Sequence, residues 1–479
     1  MGLFQYRILL AAGLCFAADA MEVLLLSFLS IVLRDEWGLS DDETAFITSI
    51  LFAGALIGTS ILGPLADQWG RRPVFLLAVS MIALFGTGTS LVNNYEQLLI
   101  IMFIIGFGVG GLTVPFDTLA EFLPAKGRGY ELSFRRLVIL LVSISFPLPV
   151  AHHARHLLHR TNLLLIEYFW TLGCLLVIVF AELTLAHGKA NWRLFVILCS
   201  LPCFLSIAIG WLYVPESVRW LVSTGRNEEA LEILRHAGRI NKLTAATPLS
   251  SSSSNNEDDD ADGTENVHDN HEDSDDIMDA IFPWNTELTS EEDHSAENSA
   301  SCTDLIKPQW RGTMLKLWGA WGGFGIAYYG SIQSITKIFD VETPANVNST
   351  LTFDSGDNST ITSRLETNET ADFDYGAIFI SSSAELLGTT FVILLVDRVG
   401  RIPSQVVSYA LAGVCIFAMC ILADSSHGAA SERWEVVGLG FLLRAFDMAG
   451  TCTSWVMTAE VLSTEIRTTG TVSKTWFNL

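Results

Sequence analysis

The chain has 479 residues, half of them hydrophobic, with a mean hydropathy of +0.39 and a formal charge of −24. That composition excludes an ordinary soluble globule and points to a polytopic membrane protein. The charge is local: residues 257 to 300 hold 17 carboxylates and no Lys or Arg, residues 340 to 374 contribute −7, and the rest is neutral, so nothing implies nucleic acid or an acidic substrate.

Met1 to Arg7 is short and polar, and the apolar run from Ile8 to about Leu33 is too long and too acidic for a cleaved signal, so it reads as the first span. Asp19 and Glu22 lie three apart in it and share a helix face. A carboxylate inside a membrane costs roughly 3 kcal/mol unless it faces a partner or a water-filled cavity. The pair is therefore a candidate lining for a path that binds a cation or a proton, the bland alternative being a polar clamp to a neighbouring helix.

Further spans are expected at about 44 to 65, 73 to 92, 98 to 120, 163 to 186, 193 to 214, 313 to 336, 375 to 396, 404 to 423 and 435 to 457, each near the ~20 residues a bilayer requires. Asp117 in the fourth and Glu167 in the fifth invite the same reading as Asp19. Arg444 and Asp447 in the tenth, three apart, are expected to pair with each other.

Between the second and third spans, Gly63-Pro64-Leu65-Ala66-Asp67-Gln68-Trp69-Gly70-Arg71-Arg72 reads as a tight charged hinge outside the lipid. Short loops rich in Lys and Arg stay inside, which places this loop, the N-terminus and the acidic tract on the cytoplasmic side. Asp397-Arg398-Val399-Gly400-Arg401 repeats the Asp-x-x-Gly-Arg spacing after another apolar run. Glu121, seven before Arg128, is echoed by Glu460, seven before Arg467, so the chain reads as two parallel repeats.

Residues 130 to 160 read as an insertion. Its apolar part, Leu137 to Val150, is short and carries Pro147 and Pro149, a poor spanning helix, and a true span there would invert every later loop. The histidines that follow have no carboxylate or cysteine beside them; a retained intron or gene-prediction error fits better than an amphipathic insert.

After the sixth span comes Pro215-Glu216-Ser217-Val218-Arg219-Trp220-Leu221, then a stretch at 227 to 239 able to form an amphipathic helix, then the acidic tract. Low hydrophobicity and one-signed charge mark the 216 to 311 segment as a linker between halves, its acidic part disordered. Residues 340 to 374 carry three sequons, Asn348-Ser-Thr, Asn358-Ser-Thr and Asn368-Glu-Thr, in a loop the topology places outside, so glycosylation of Asn348, Asn358 and Asn368 is expected. Cysteines and histidines show no metal spacing, no nucleophile and base motif is present, and neither a metal, a cofactor nor an enzyme is indicated.

The paired Asp-x-x-Gly-Arg loops resemble the signature of the major facilitator superfamily, and the Pro-Glu-Ser-x-Arg-Trp-Leu stretch resembles that of its sugar-porter-like members. Within it the chain is similar to transporters related to synaptic vesicle proteins, the branch that includes organic-cation and nicotinate-type carriers. The residues that carry this are Ala18 to Phe28, Trp37-Gly38-Leu39-Ser40, Gly106 to Gly111 and Ala120 to Pro124. The resemblance implies an all-α fold of two six-helix halves, here 1 to 215 and 312 to 479, and secondary transport of a small organic ion by alternating access. Coupling to protons or Na+ stays open, because Met102 stands where many members carry Arg. It also implies a cytoplasmic gate of Asp67, Arg71, Arg72, Glu121, Arg128, Glu216 and Arg219, with Asp397, Arg401, Glu460 and Arg467 as its counterpart. Ten spans are counted where it implies twelve, so the last two are expected to be missing and the surface they would cover exposed. The alternative from another class is a non-transporting membrane glycoprotein acting in trafficking or as a receptor.

Overall fold

A computed structural model describes residues 3–112, 114, 122, 161–186, 191–241, 308–341, 372–425 and 430–461. Asp117, Glu121, Arg128, Arg467, the three sequon asparagines, the 130 to 160 stretch and the acidic tract lie outside the described residues. Asp397 and Glu460 are placed on helices only.

The described chain is helical apart from one pair of two-residue strands. In order come α1 (Leu3–Trp37), α2 (Asp41–Trp69), α3 (Arg71–Thr89), α4 (Tyr95–Val109), α5 (Thr161–Leu185), α6 (Trp192–Tyr213), the short α7 (Val218–Ser223) and α8 (Asn227–Ile240), α9 (Pro308–Ile338), α10 (Tyr375–Val399), α11 (Arg401–Ser425) and α12 (Ala430–Val461). Strands β1 (Asp340–Val341) and β2 (Asp372–Phe373) pair antiparallel and close the base of the 340 to 374 loop. Eight helices are long and apolar enough to cross a membrane among the described residues. The other two expected spans coincide with α4, apolar but only 15 residues as described, and with α9, which is 31 residues long but diluted by Gly, Trp, Tyr and basic residues.

Local chemistry sets the boundaries. Ser40 caps α2 in a capping box: its Oγ accepts from Glu43 N at 3.3 Å while Glu43 Oε2 accepts from Ser40 N at 2.9 Å. Asn191, Ser217 and Asp374 cap α6, α7 and α10 in the same sense, each accepting a backbone N–H three residues on at 3.1 Å.

The ten-residue hinge expected from the sequence, Gly63 to Arg72, is corrected to a single residue outside the helices. Helix α2 runs through Pro64 to Trp69 and α3 begins at Arg71, with Gly70 alone between them. The end of the apolar run marks where lipid stops, not where the helix stops, and Pro64 only removes one backbone donor near the helix end. Gly70 donates to Ala66 O with φ 103° and ψ 156°, and Gly400, its counterpart, donates to Val396 O with φ 94° and ψ 159°. That region of backbone space is open essentially to glycine alone, so the sequence repeat is a repeated conformation.

In the first half α1 is buried along nearly its whole length against α5 and α6, and α2 packs on α4. The α2–α4 seam brings backbones together: a Cβ on Gly106 would collide with the Leu51 carbonyl, the close approach that small residues permit between membrane helices. Met102 is fully buried in the same helix. In the second half α12 packs against α9, α10 and α11. The halves meet through α1 with α9 and α5 with α10, and near the strands through Phe28 and Phe373, whose rings lie 5.0 Å apart edge to face.

Candidate functional site

A cavity lies between the halves, with walls from six helices. Its acidic side comes from α1 and α5: Asp19, Glu22 and Glu167 all line it. Asp19 is half-buried; Glu22 and Glu167 are buried. Glu22 Oε1 has no hydrogen-bond partner among the described residues. The spacing of Asp19 and Glu22 therefore puts both on the cavity face of α1, with Phe16 one turn earlier.

The opposite side is aromatic. Trp321, Phe324 and Tyr328 recur along one face of α9, joined by Tyr329 and by Trp455 of α12. Trp321 meets Trp455 edge to face at 5.0 Å, Phe324 stacks on Tyr328 at 5.4 Å, and Phe16 meets Trp170 at 5.3 Å. Ring faces and carboxylates around one void suit a cation that is itself partly apolar, since rings offer negative faces and the acids offer charge.

Behind Tyr328 lies a polar network. Arg444 of α12 pairs with Glu385 of α10 at 2.7 Å, both fully buried. The expected Arg444–Asp447 pair is thus corrected: Glu385 takes the guanidinium from across the helix seam. Tyr328 OH donates to Glu385 Oε1 at 2.6 Å, Trp170 Nε1 donates to Tyr328 OH at 2.5 Å, and Arg444 sits 5.3 Å from the Tyr328 ring centre. Glu385 offsets the positive charge of Arg444, and the network ties α5 of one half to α9, α10 and α12 of the other. Glu385 was missed in the sequence, although an acid inside the apolar run at 375 to 396 is the same signal that picked out Asp19.

Of the residues expected to form a gate, Arg71, Arg72 and Glu216 meet beside Gly70. Glu216 Oε1 accepts from the backbone N–H of Arg71 at 2.7 Å, of Arg72 at 3.1 Å and of Ser217 at 3.0 Å. It thus caps α3, where free N–H groups and the helix dipole favour a carboxylate. Arg72 Nη2 donates to Trp211 O at 2.7 Å, Trp220 Nε1 donates to Asp67 O at 2.9 Å, and Asp67 and Arg219 are exposed. Arg401 begins α11 at the equivalent place in the second half.

Two helical halves around a central cavity, each with one glycine-broken helix pair, define a transporter-like membrane bundle. The family model of the Major Facilitator Superfamily matches residues 8–477, and the chain belongs to that family of small-solute transporters as an integral, multi-pass membrane protein. Putative transporter svop-1 of Caenorhabditis elegans is 24% identical over 98% of this chain and 73% of its own length. Organic cation/carnitine transporter 7 of Arabidopsis thaliana is 27% identical over 98% of this chain and 82% of its own. A partially occluded inward-open structure of the xylose transporter XylE from E. coli superposes with a TM-score of 0.65 at 17% identity, covering 99% of this chain and 91% of that one, a likeness of fold.

Proposed function

We propose that the chain is a secondary active transporter that carries a small organic cation by alternating access between the two halves. The observation that carries this is the cavity itself: three carboxylates on α1 and α5 face an aromatic wall on α9 and α12. Asp19 and Glu22 supply the charge that attracts and holds the solute, Glu167 adds to it, and the rings of Trp321, Phe324 and Trp455 form its apolar contact. The name of the plant relative, an organic cation/carnitine transporter, agrees in solute class. The Gly70 and Gly400 ends, with the N-terminus and the acidic linker, face the cytoplasm, and the 340 to 374 loop faces outward. Glu216, holding the start of α3, positions the cytoplasmic gate, whose other members are Asp67, Arg71, Arg72 and Arg219 in the first half and Asp397 and Arg401 in the second.

The test is substitution with surface protein measured alongside uptake. Asp19→Asn and Glu22→Gln should each lower uptake of organic cations at least tenfold while surface amounts stay near wild type. Normal uptake in both variants would remove the acids from the path, and loss of folded protein would make them a structural clamp.

A further inference from the structure

The network behind Tyr328 does not balance in charge. Helix α12 places Arg444 and Asp447 one turn apart, but Arg444 is held by Glu385 of α10 at 2.7 Å. Asp447 is 0% exposed, and neither of its carboxylate oxygens has a hydrogen-bond partner among the described residues. Ser331 of α9 stands beside it as a neutral donor, but it has a single hydroxyl proton, for which Tyr328 O, 2.8 Å away, competes. The remaining titratable groups that face Asp447 are Glu385 on α10 and Tyr409 and Cys415 on α11, none of them a cation. The buried set is therefore one guanidinium and two acids. A carboxylate without donors in an apolar interior takes up a cation or neutralises. Glu385 Oε1 accepts from both Arg444 and Tyr328 and only its Oε2 is left without a partner, whereas both oxygens of Asp447 are.

We propose that Asp447 is a proton-binding site of the second half, its proton balancing the buried Glu385–Arg444–Asp447 set. The site lies within one helix turn of the cavity: Thr451 Oγ1 donates to Asp447 O at 2.9 Å, and Thr451 and Met448 line the void. A proton there is sensed by α12 and, through Arg444 and Glu385, by Tyr328 on the cavity wall. The site does not depend on which solute the cavity carries, so it is tested on protein without substrate.

The experiment is infrared spectroscopy of the purified chain in nanodiscs at neutral pH, reading the carbonyl stretch of protonated carboxyl groups. The wild-type-minus-Asp447→Asn difference spectrum should show such a band, in which any contribution from Asp19, Glu22 and Glu167 cancels. Carbon-13 labelling of aspartate carboxyls should shift it, and labelling of glutamate should not. Glu385→Gln should also abolish it, because Arg444 is then free to pair with an ionised Asp447; this second variant decides the matter if Asp447→Asn does not fold. An unchanged carboxyl band in either variant, a band that shifts with the glutamate label, or one that appears only when Na+ is withdrawn would overturn the proposal.

Discussion

Gly70 and Gly400 adopt the same positive-φ conformation in the two halves, and the surroundings of each predict different tolerance to the same change. A side chain costs about 1–3 kcal/mol in that region of backbone space, so Gly70→Ala and Gly400→Ala should both lower the thermal transition followed by tryptophan fluorescence. Gly70→Ala should be the worse of the two. Its new Cβ would lie 2.6 Å from Glu216 Oε2 and dislodge the cap of α3, whereas at Gly400 the nearest atom is Pro403 Cδ at 3.6 Å. Glu216→Gln keeps a neutral acceptor for the Arg71 and Arg72 amides and should lower the transition less than Glu216→Ala, which leaves both without it. Equal losses in these two variants would mean that the cap is not what Glu216 contributes. At this scale the sequence was informative where one residue type has one reason: only glycine fits the turn, and only a path or a partner justifies Asp19 and Glu22 in an apolar run. It was uninformative for Arg444, because spacing reports same-helix neighbours such as Asp447, while the true partner Glu385 lies 59 positions away on α10 and is brought in by the packing of α10 on α12.

Among the helices, the seam between α2 and α4 is the one with least room. Gly106→Val would drive a branched side chain into the Leu51 carbonyl and should abolish most of the folded yield, read as monodisperse protein on size exclusion. Gly88→Ala in α3, where nothing lies within 4 Å, should fold normally and gain a few tenths of a kcal/mol from helix propensity. Identical yields from the two would show that the seam is not close-packed in the membrane. The positions of the spans were legible from apolar runs, but their ends were not. Helix α1 starts five residues before its apolar run and α9 five before its own, because helices continue into the interface on hydrogen bonds that do not require lipid. The aromatic stripe of α9 was also written in the sequence, with Trp321, Phe324 and Tyr328 at helical spacing. Nothing in that spacing says whether such a stripe faces lipid, core or a cavity.

For the molecule as a whole, orientation and transport are the claims at stake. With the glycine-broken ends inside, the 340 to 374 loop is outside, so expression in a glycosylating cell should give a ladder of species collapsed by glycosidase and shortened step by step by Asn348→Gln, Asn358→Gln and Asn368→Gln. No shift, with that loop labelled only from the cytosolic side, would reverse the topology. The central claim is that the acidic and aromatic cavity selects and moves organic cations. It is tested most directly by uptake into proteoliposomes containing the purified chain, comparing quaternary ammonium cations with organic carboxylates and sulfonates of matched size. Saturable uptake of the cations, competed by one another and not by the anions, and reduced at least tenfold in an Asp19→Asn/Glu22→Gln double variant that remains folded, is the predicted result. Preferential uptake of the anions, or cation uptake unaffected by the double variant, would contradict it.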